Sequence, residues 1–550
     1  MSKPFPCLLS GLVLLLFSMA VLNYSTGIDD AHITFFSAWS LVQQGEIVNY
    51  NLDRVEQSSS LLHTLVTAAL MALADCGPVL AGHAVTLVAA LLVLPVVYGL
   101  AVRFACSPFV CVVLLAGNSS FIYWALSGLE SPVVTLLMLG WLISGATLCQ
   151  FTTPFHRFLF LVSSLLLVSV RPEMPLYLPV LMLSLALPLR YFLPDKVSWT
   201  IILQMVVFVF LAAMLVFGFR YSYFGSLFPQ PVEAKAGSFT LARLMTGFYY
   251  FIRPLASPML LPVYLLGLLS VVSMTLKLPK KSLNLYQCLA LFCLLSYCGL
   301  IILMGGDWMS AYRFFVPVTG VFVLLVGSCL NRFSAGKQLG IVFLVTVCQL
   351  AFTHSLRESV SPAGFSGDAD LIDSSRYDFF ERQSRDNLVN IPTVNFLHKL
   401  VPELLHTEGQ LTVLSGQMGM LSYNLATLYP GRIHFLDRNG LIEKSFTDCE
   451  VTKDKPRGAL GIEGIVPYYY LLARKKLANK CDIPEADIIF DIWQASALGD
   501  TREMMNKFGY QIVFEQHGHL EPEIWQLVAV KKSLWQSIGS PGLQKVTVHF

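Results

Sequence analysis

Eleven apolar stretches crowd the first 354 residues of this chain, near 6–22, 79–102, 108–124, 131–149, 157–170, 174–189, 198–219, 258–276, 286–304, 311–331 and 338–354. A helix needs about 17–25 mostly apolar residues to cross the hydrocarbon of a bilayer. Inside lipid, every backbone N–H and C=O must be satisfied within the protein. Two of the stretches, 108–124 and 157–170, are short for this task. The chain is 55% hydrophobic and only 13% charged, which sets it apart from ordinary soluble domains. Beyond residue 354 the polarity becomes ordinary, and roughly 190 residues are enough to bury a separate core. We expect a polytopic α-helical membrane domain over 1–354, with about eleven spans, and a soluble α/β domain over 355–550.

The first stretch, LLSGLVLLLFSMAVL, follows only one basic residue, Lys3, and no small-x-small cleavage site succeeds it. It reads as an uncleaved span rather than a signal peptide. A further run, 60–74, is short and contains His63. If it lies along the surface, Arg103, His156, Arg157, Arg190, Lys196, Lys277, Lys280, Lys281, Arg332 and Lys337 all fall on the side of the N-terminus. The positive-inside rule then makes that side cytoplasmic and places the soluble domain outside. The net charge of +2 gives no support to nucleic-acid binding. Ten of the 12 cysteines lie in the apolar part, and Cys449 and Cys481 are candidates for one extracytoplasmic disulfide.

Asp29 and Asp30 stand directly after the first span, in GIDDAHITFFSAW. Charges at a lipid boundary are costly and are kept where they pair or act. A carboxylate there is placed to take a proton from an attacking hydroxyl, or to hold a cation beside a phosphate. The alternative is that one of the acids merely caps a helix. The spacing of Ile33, Phe36 and Trp39 predicts such a helix over 30–42, lying flat on the membrane.

Four later motifs also carry charge at span ends. GLE puts Glu130 at the start of a span, where a helix N-terminal charge is the plainer reading. RPE sets Arg171 and Glu173 about a proline, with a structural ion pair as the alternative. FRYSYFGSLFPQPVEAKAG is read as a long outer loop with Arg220, Glu233 and Lys235. Its cations suit a phosphate, and an aromatic belt is the alternative. GGDWMSAYRF brings Asp307 and Arg313 together after two glycines. No HExxH, P-loop, paired CxxC, GxSxG or EF-hand pattern is present, and scattered histidines suggest no zinc site.

In order, these motifs resemble the GT-C class of integral-membrane glycosyltransferases, in the branch of the mycobacterial terminal arabinofuranosyltransferase. The first outer segment of that branch is matched by Asp29, Asp30, Ala31, Ile33, Ala38, Leu41, Arg54, Val55 and Glu56, with Gly45 and Asn49 displaced by one position. Gly128, Leu129 and Glu130 follow, then Arg171, Pro172 and Glu173. Next come Arg220, Tyr221, Tyr223, Phe224, Gly225, Pro229, Ala234 and Lys235, and then Gly305, Gly306, Asp307, Met309, Arg313 and Phe314. In the soluble part Asp437, Gly440 and Leu441 match a further element. Phe36, Gln57, Leu61, His63 and Gln230 depart from the pattern. These departures bear on sugar and acceptor more than on reaction class.

The resemblance implies a polyprenyl-phosphoryl sugar as donor, arabinofuranose first, and an envelope glycan, glycolipid or protein as acceptor. It implies a multi-pass protein of a bacterial inner membrane. Asp29 is expected as general base and Asp30 as its partner, and the reverse assignment stays open. Arg171, Arg220, Lys235 and Arg313 are expected at the donor phosphate. Glu130, Glu173 and Asp307 are expected at sugar hydroxyls or at a divalent cation, the one candidate cofactor. A single base suggests one-step displacement with inversion. Three readings compete: a hexose or aminosugar transferase modifying lipid A, pilin or a surface glycan; a flippase for lipid-linked sugars, whose charges should lie mid-membrane; and a non-catalytic assembly protein.

Overall fold

The computed structural model describes residues 4–22, 29–192, 197–235, 240–278, 283–307, 309–356, 366, 368–416, 418–437, 440–442, 484–494, 498–517, 524–538 and 546–549. Cys449 and Cys481, and with them the expected disulfide, lie outside these residues. The ten described cysteines are free thiols.

Among the described residues sixteen α-helices and two 3-10 segments, Arg253–Ala256 and Ser310–Val318, make up the first part. The α-helices are α1 (Pro4–Leu22), α2 (Ala31–Gln44), α3 (Leu61–Ala74), α4 (Pro78–Arg103), α5 (Pro108–Ala116), α6 (Ser119–Ala125), α7 (Ser131–Gln150) and α8 (Pro154–Val170), followed by α9 (Met174–Phe192), α10 (Trp199–Phe224), α11 (Gln230–Lys235), α12 (Leu241–Ile252), α13 (Leu261–Thr275), α14 (Leu285–Met304), α15 (Thr319–Leu330) and α16 (Ala335–Ser355). The apolar stretches predicted to span are mostly helical, although 311–331 opens on a 3-10 segment (Ser310–Val318) with left-handed Ala311 and Tyr312, and length and composition qualify fewer than eleven among the described residues. Among the described residues seven helices can cross a bilayer alone, and two bent pairs raise this to nine. Stretch 108–124 is one such pair, bent by 60°. The break falls where Asn118 accepts the Phe121 N–H and starts a new helix.

The expected outer loop after span 198–219 is also corrected. Arg220 lies inside α10, which ends only when Gly225 turns left-handed at φ +73°. Residues Gln230–Lys235 then form α11.

The second part is a mixed sheet with helices α17 (Ala369–Ile372), α18 (Phe379–Gln383), α19 (Arg385–Glu408), α20 (Met420–Leu428), α21 (Leu498–Lys507) and α22 (Lys532–Ile538). Its strands are β1 (Leu411–Ser415), β2 (Ile433–Asp437), β3 (Ile488–Gln494), β4 (Tyr510–His517), β5 (Ile524–Lys531) and β6 (Val546–His549). Their order is β2-β1-β3-β5-β4-β6. β1 runs parallel to β2 and β3, β5 is antiparallel to β3 and β4, and β6 is parallel to β4.

Helix α2 is enclosed by protein. Ala31 to Ala38 are all buried. Ile33 and Phe36 enter the same apolar core as Leu397 and Leu404 of α19 and Val413, Phe435 and Phe514 of the sheet. Its apolar stripe therefore meets protein, not lipid. The loop after α2 is stitched to β2, an outer strand of the sheet. The Asn51 side chain donates to Phe435 O (3.0 Å) and accepts from Phe435 N (2.7 Å), as a neighbouring strand would. Tyr50 donates to Met418 O, and Asn49 to Ile442 O. The Asp437 carboxylate accepts the Leu441 and Ile442 N–H groups, which folds the Asp437–Gly440–Leu441 element into a capped turn.

Candidate active site

Phe35 fixes α2 against the membrane helices. A Cβ at Gly82 of α4 would lie 2.1 Å from its ring, and one at Gly128 would lie 2.8 Å away. Both glycines are therefore clefts for one aromatic side chain, and Gly128 also needs its φ of +74°. The acid pair is thus carried by a helix wedged against the turn that leads to Glu130.

Neither acid caps α2. Asp30 occupies the N-cap position, but its side chain makes no capping bond. Asp29 caps a different helix. Its Oδ1 accepts from Met420 N, the first residue of α20, at 2.7 Å, and from Asn390 Nδ2 at 3.3 Å. The preceding residue, Gly419, has no side chain with which to cap α20 itself, and its absent Cβ would fall 1.9 Å from Asp29 Oδ2. Backbone donors at a helix start favour an ionised carboxylate. Both acids remain half-buried rather than sealed.

Behind Asp29, His32 is 1% exposed. Its Nδ1 lies 3.0 Å from Asp29 O, and its Nε2 lies 3.0 Å from Glu381 Oε1 on α18. A carbonyl can only accept, so Nδ1 carries a proton. Burial pulls the imidazole down, but the hydrogen bond and charge of Glu381, with the charge and carbonyl of Asp29, outweigh it and hold His32 above its ordinary value.

A second group gathers about Phe314. Arg171 follows α8 and bonds Glu130 Oε1 (2.7 Å) and Glu173. Arg313 forms an ion pair with Asp307 (2.8 Å). Both guanidinium groups lie 5.3 Å from the Phe314 ring centre, and Arg313 also faces Trp124. The backbone before Arg313 is strained, because Ala311 and Tyr312 adopt φ of +53° and +51°. Non-glycine residues there cost about 1–3 kcal/mol each and cluster at functional sites. The preceding glycines are both left-handed, and a Cβ on Gly306 would lie 2.5 Å from the Tyr250 Cβ and 2.7 Å from its ring.

A third group is the fully buried Arg220 with Glu56, joined through Nε at 2.8 Å and Nη2 at 3.2 Å. Arg220 Nη1 is buried and makes no hydrogen bond among the described residues. Lys235 ends α11, and its side chain is outside the described residues.

The predicted residues therefore fall into three neighbourhoods: the acid pair against the soluble domain, Glu130–Arg171–Glu173 with Asp307–Arg313, and Arg220 with Glu56. Three of the four cations predicted at phosphate are ion-paired. Sequence reasoning missed His32, Glu381, Asn390 and Gly419. Only His32, beside the acid pair, left a local signal. Glu130, Glu173 and Asp307 face arginines, and no three His, Cys, Asp or Glu side chains converge on a metal position among the described residues. Paired with cations as they are, these three acids do not fit a divalent cation.

No protein-family model and no curated protein matches the sequence. Solved structures do match. ArnT from Cupriavidus metallidurans bound to undecaprenyl phosphate superposes with a TM-score of 0.52 at 11% identity, covering 95% of this chain and 97% of that one. Its apo form gives 0.52 at 12% identity, covering 96% and 98%. The chain shares the fold of these structures. The match runs through both the helical part and the soluble domain, so this chain is a polytopic membrane protein with a C-terminal soluble domain of that architecture.

Proposed function

We propose that this protein is a glycosyltransferase that moves a sugar from a polyprenyl-phosphate donor to an acceptor hydroxyl. The observation that carries this reading is the fold shared, over 95% of the chain, with ArnT bound to undecaprenyl phosphate. Asp29 takes the proton of the acceptor hydroxyl as that oxygen attacks the anomeric carbon. The bond from that carbon to the phosphate oxygen breaks, the configuration inverts, and polyprenyl phosphate leaves as an anion. Asp30 is the partner carboxylate, and the reverse assignment is its alternative. Fixed cations stabilise the charge on the leaving phosphate. Arg220, with a buried N–H free of hydrogen bonds among the described residues, is the first of these. Arg171, Arg313 and Lys235 complete the set, and Glu130, Glu173 and Asp307 meet sugar hydroxyls.

The donor sugar is arabinofuranose by sequence resemblance, with hexose or aminosugar transfer as its rival. The reaction is placed on the outer face of a bacterial inner membrane, with the N-terminus cytoplasmic and the soluble domain periplasmic. The test uses the purified protein in lipid discs, a panel of radiolabelled polyprenyl-phosphoryl sugars and envelope extract. Label moving from one of these lipids to extract material supports the reading and names the sugar. Label staying on every lipid, with lipid binding intact, overturns it.

A further inference from the structure

Four buried polar side chains of the soluble domain form a directed chain that ends on Asp29. They are Gln516 on β4, Gln526 on β5, and Thr393 and Asn390 on α19, each at most 4% exposed. Gln516 Nε2 donates to Val389 O at 2.8 Å. A carbonyl accepts only, so this end of Gln516 is its NH₂, and its oxygen faces Thr393. The single Thr393 hydroxyl proton goes to Gln526 Oε1 (2.5 Å), and the Thr393 oxygen also lies 3.3 Å from Gln516 Oε1. Gln526 then presents its NH₂ to Asn390 Oδ1 at 2.7 Å. With its oxygen used, Asn390 turns its own NH₂ to Asp29 Oδ1. The carboxylate fixes the direction: Asp29 Oδ1 accepts from Met420 N, so Asn390 shows it NH₂, Gln526 shows its NH₂ to Asn390 Oδ1, and Gln526 Oε1 takes the Thr393 proton. A buried network of this kind is costly unless each member is satisfied, and it rigidifies what it touches.

We propose that Asn390, oriented by Gln526 and Thr393, is the positioning residue of the acceptor base, so that the soluble domain sets the geometry and basicity of a carboxylate belonging to the membrane domain. This rests on the reading of Asp29 as base. Asn390 and Met420 N grip one oxygen of the carboxylate and steady it for proton transfer, which demands placement within hydrogen-bond reach of the hydroxyl. The charged or titratable groups around it are Asp30 and His32 on its own segment and Tyr50 from the outer loop. Behind His32 stand Glu381 and Asp378 of the α18 region, Tyr423 of α20 and His83 of α4. None of these changes in an Asn390 variant.

The test compares wild type with Asn390→Leu, which removes the donor, and Thr393→Val, which frees Gln526 to turn. A donor to the carboxylate favours its charged form, so removing it favours protonation. Asn390→Leu should lower kcat by about tenfold or more, leave the donor KM within about twofold, and move the acidic limb of the pH–rate profile to higher pH. Thr393→Val should do the same to a smaller degree. If Asn390→Leu fails to fold, Asn390→Ser replaces it. A folded variant with an unmoved acidic limb overturns the proposal, even if kcat falls, because that is what a purely structural residue would give. A second readout needs no transfer activity. In an Asp30→Asn background, carbodiimide labelling of protonated Asp29 is followed against pH by peptide mass spectrometry. A labelling midpoint that moves up in Asn390→Leu supports the positioning role, and an unmoved midpoint refutes it. Absence of transfer by wild type with every donor lipid refutes the transferase reading instead, and the labelling still decides the role of Asn390.

Discussion

Asp29 fills the place where Gly419 would carry a side chain. The carboxylate oxygen lies 1.9 Å from the position of the missing Cβ, although 390 residues separate the two. The membrane domain and the soluble domain thus share one helix terminus. α20 supplies the Met420 N–H, and Asp29 supplies the cap.

Gly419→Ala should act as strongly as a change at Asp29 itself. The added methyl overlaps the carboxylate, so either the acid or α20 must move. Overpacking of this kind costs about 1–3 kcal/mol, and a base displaced by about 1 Å can lose about 100-fold in rate. The expected result is a folded protein with slightly lowered thermal stability in detergent and kcat reduced far more than donor KM. Wild-type kcat in Gly419→Ala would place Asp29 outside the chemistry.

Stability should fall on the alkaline side through His32. Its folded value lies above the ordinary histidine value because Glu381 and Asp29 favour the imidazolium over the burial that opposes it. The folded state therefore holds the proton more tightly than the unfolded chain. That stabilisation is complete below about pH 6.5, the unfolded value, and is lost as pH rises through the raised folded value. Melting temperature from pH 5.5 to 9 should decline in wild type and decline less in His32→Phe. Equal declines in the two proteins would remove His32 from this account.

Arg220 and Glu56 should be sensitive singly and tolerant together. Arg220→Met leaves a buried carboxylate without its cation, a defect of about 3–5 kcal/mol. The double variant Arg220→Met with Glu56→Leu removes both charges and should recover much of that loss. Binding of polyprenyl phosphate should stay weak in both variants, because the buried Nη1 donor is gone. Measured lipid affinity equal to wild type in the double variant would exclude Arg220 from the phosphate site.

Asn51→Ala should loosen the two domains without touching any charge. It removes two hydrogen bonds to Phe435, worth about 1–3 kcal/mol together. Hydrogen exchange at 433–437 should quicken while exchange in α19 stays as in wild type. Unchanged exchange along β2 would show that the loop contributes nothing to the edge.

The sequence disclosed the parts of this site that local chemistry writes plainly. Gly305 and Gly306 announce a tight turn, and the turn is there with two positive φ values. Arg171 and Glu173 sit two residues apart and pair. The Gly117–Asn118 break is a helix-start signal that the apolar length of the run masks. What covers α2 is illegible in its pattern for a physical reason: an apolar stripe looks the same whether lipid or a protein core receives it. Partners across the chain left no pattern at all. Glu56 finds Arg220 over 164 residues, His32 finds Glu381 over 349, and Asn390 reaches Asp29 over 361. Such contacts exist only once the fold brings the segments together.

The most direct test of the whole account is transfer of radiolabelled sugar from polyprenyl-phosphoryl-arabinofuranose to envelope extract by wild type, Asp29→Asn and Asp30→Asn. All three are purified in lipid discs and checked for equal folding by thermal melting. Removing a general base typically costs about 100- to 10,000-fold. The account predicts a loss of that size in Asp29→Asn and a smaller loss in Asp30→Asn. Full transfer by a folded Asp29→Asn would contradict it, leaving Asp29 as the cap of α20 and passing the base to Asp30 if that variant is the inactive one.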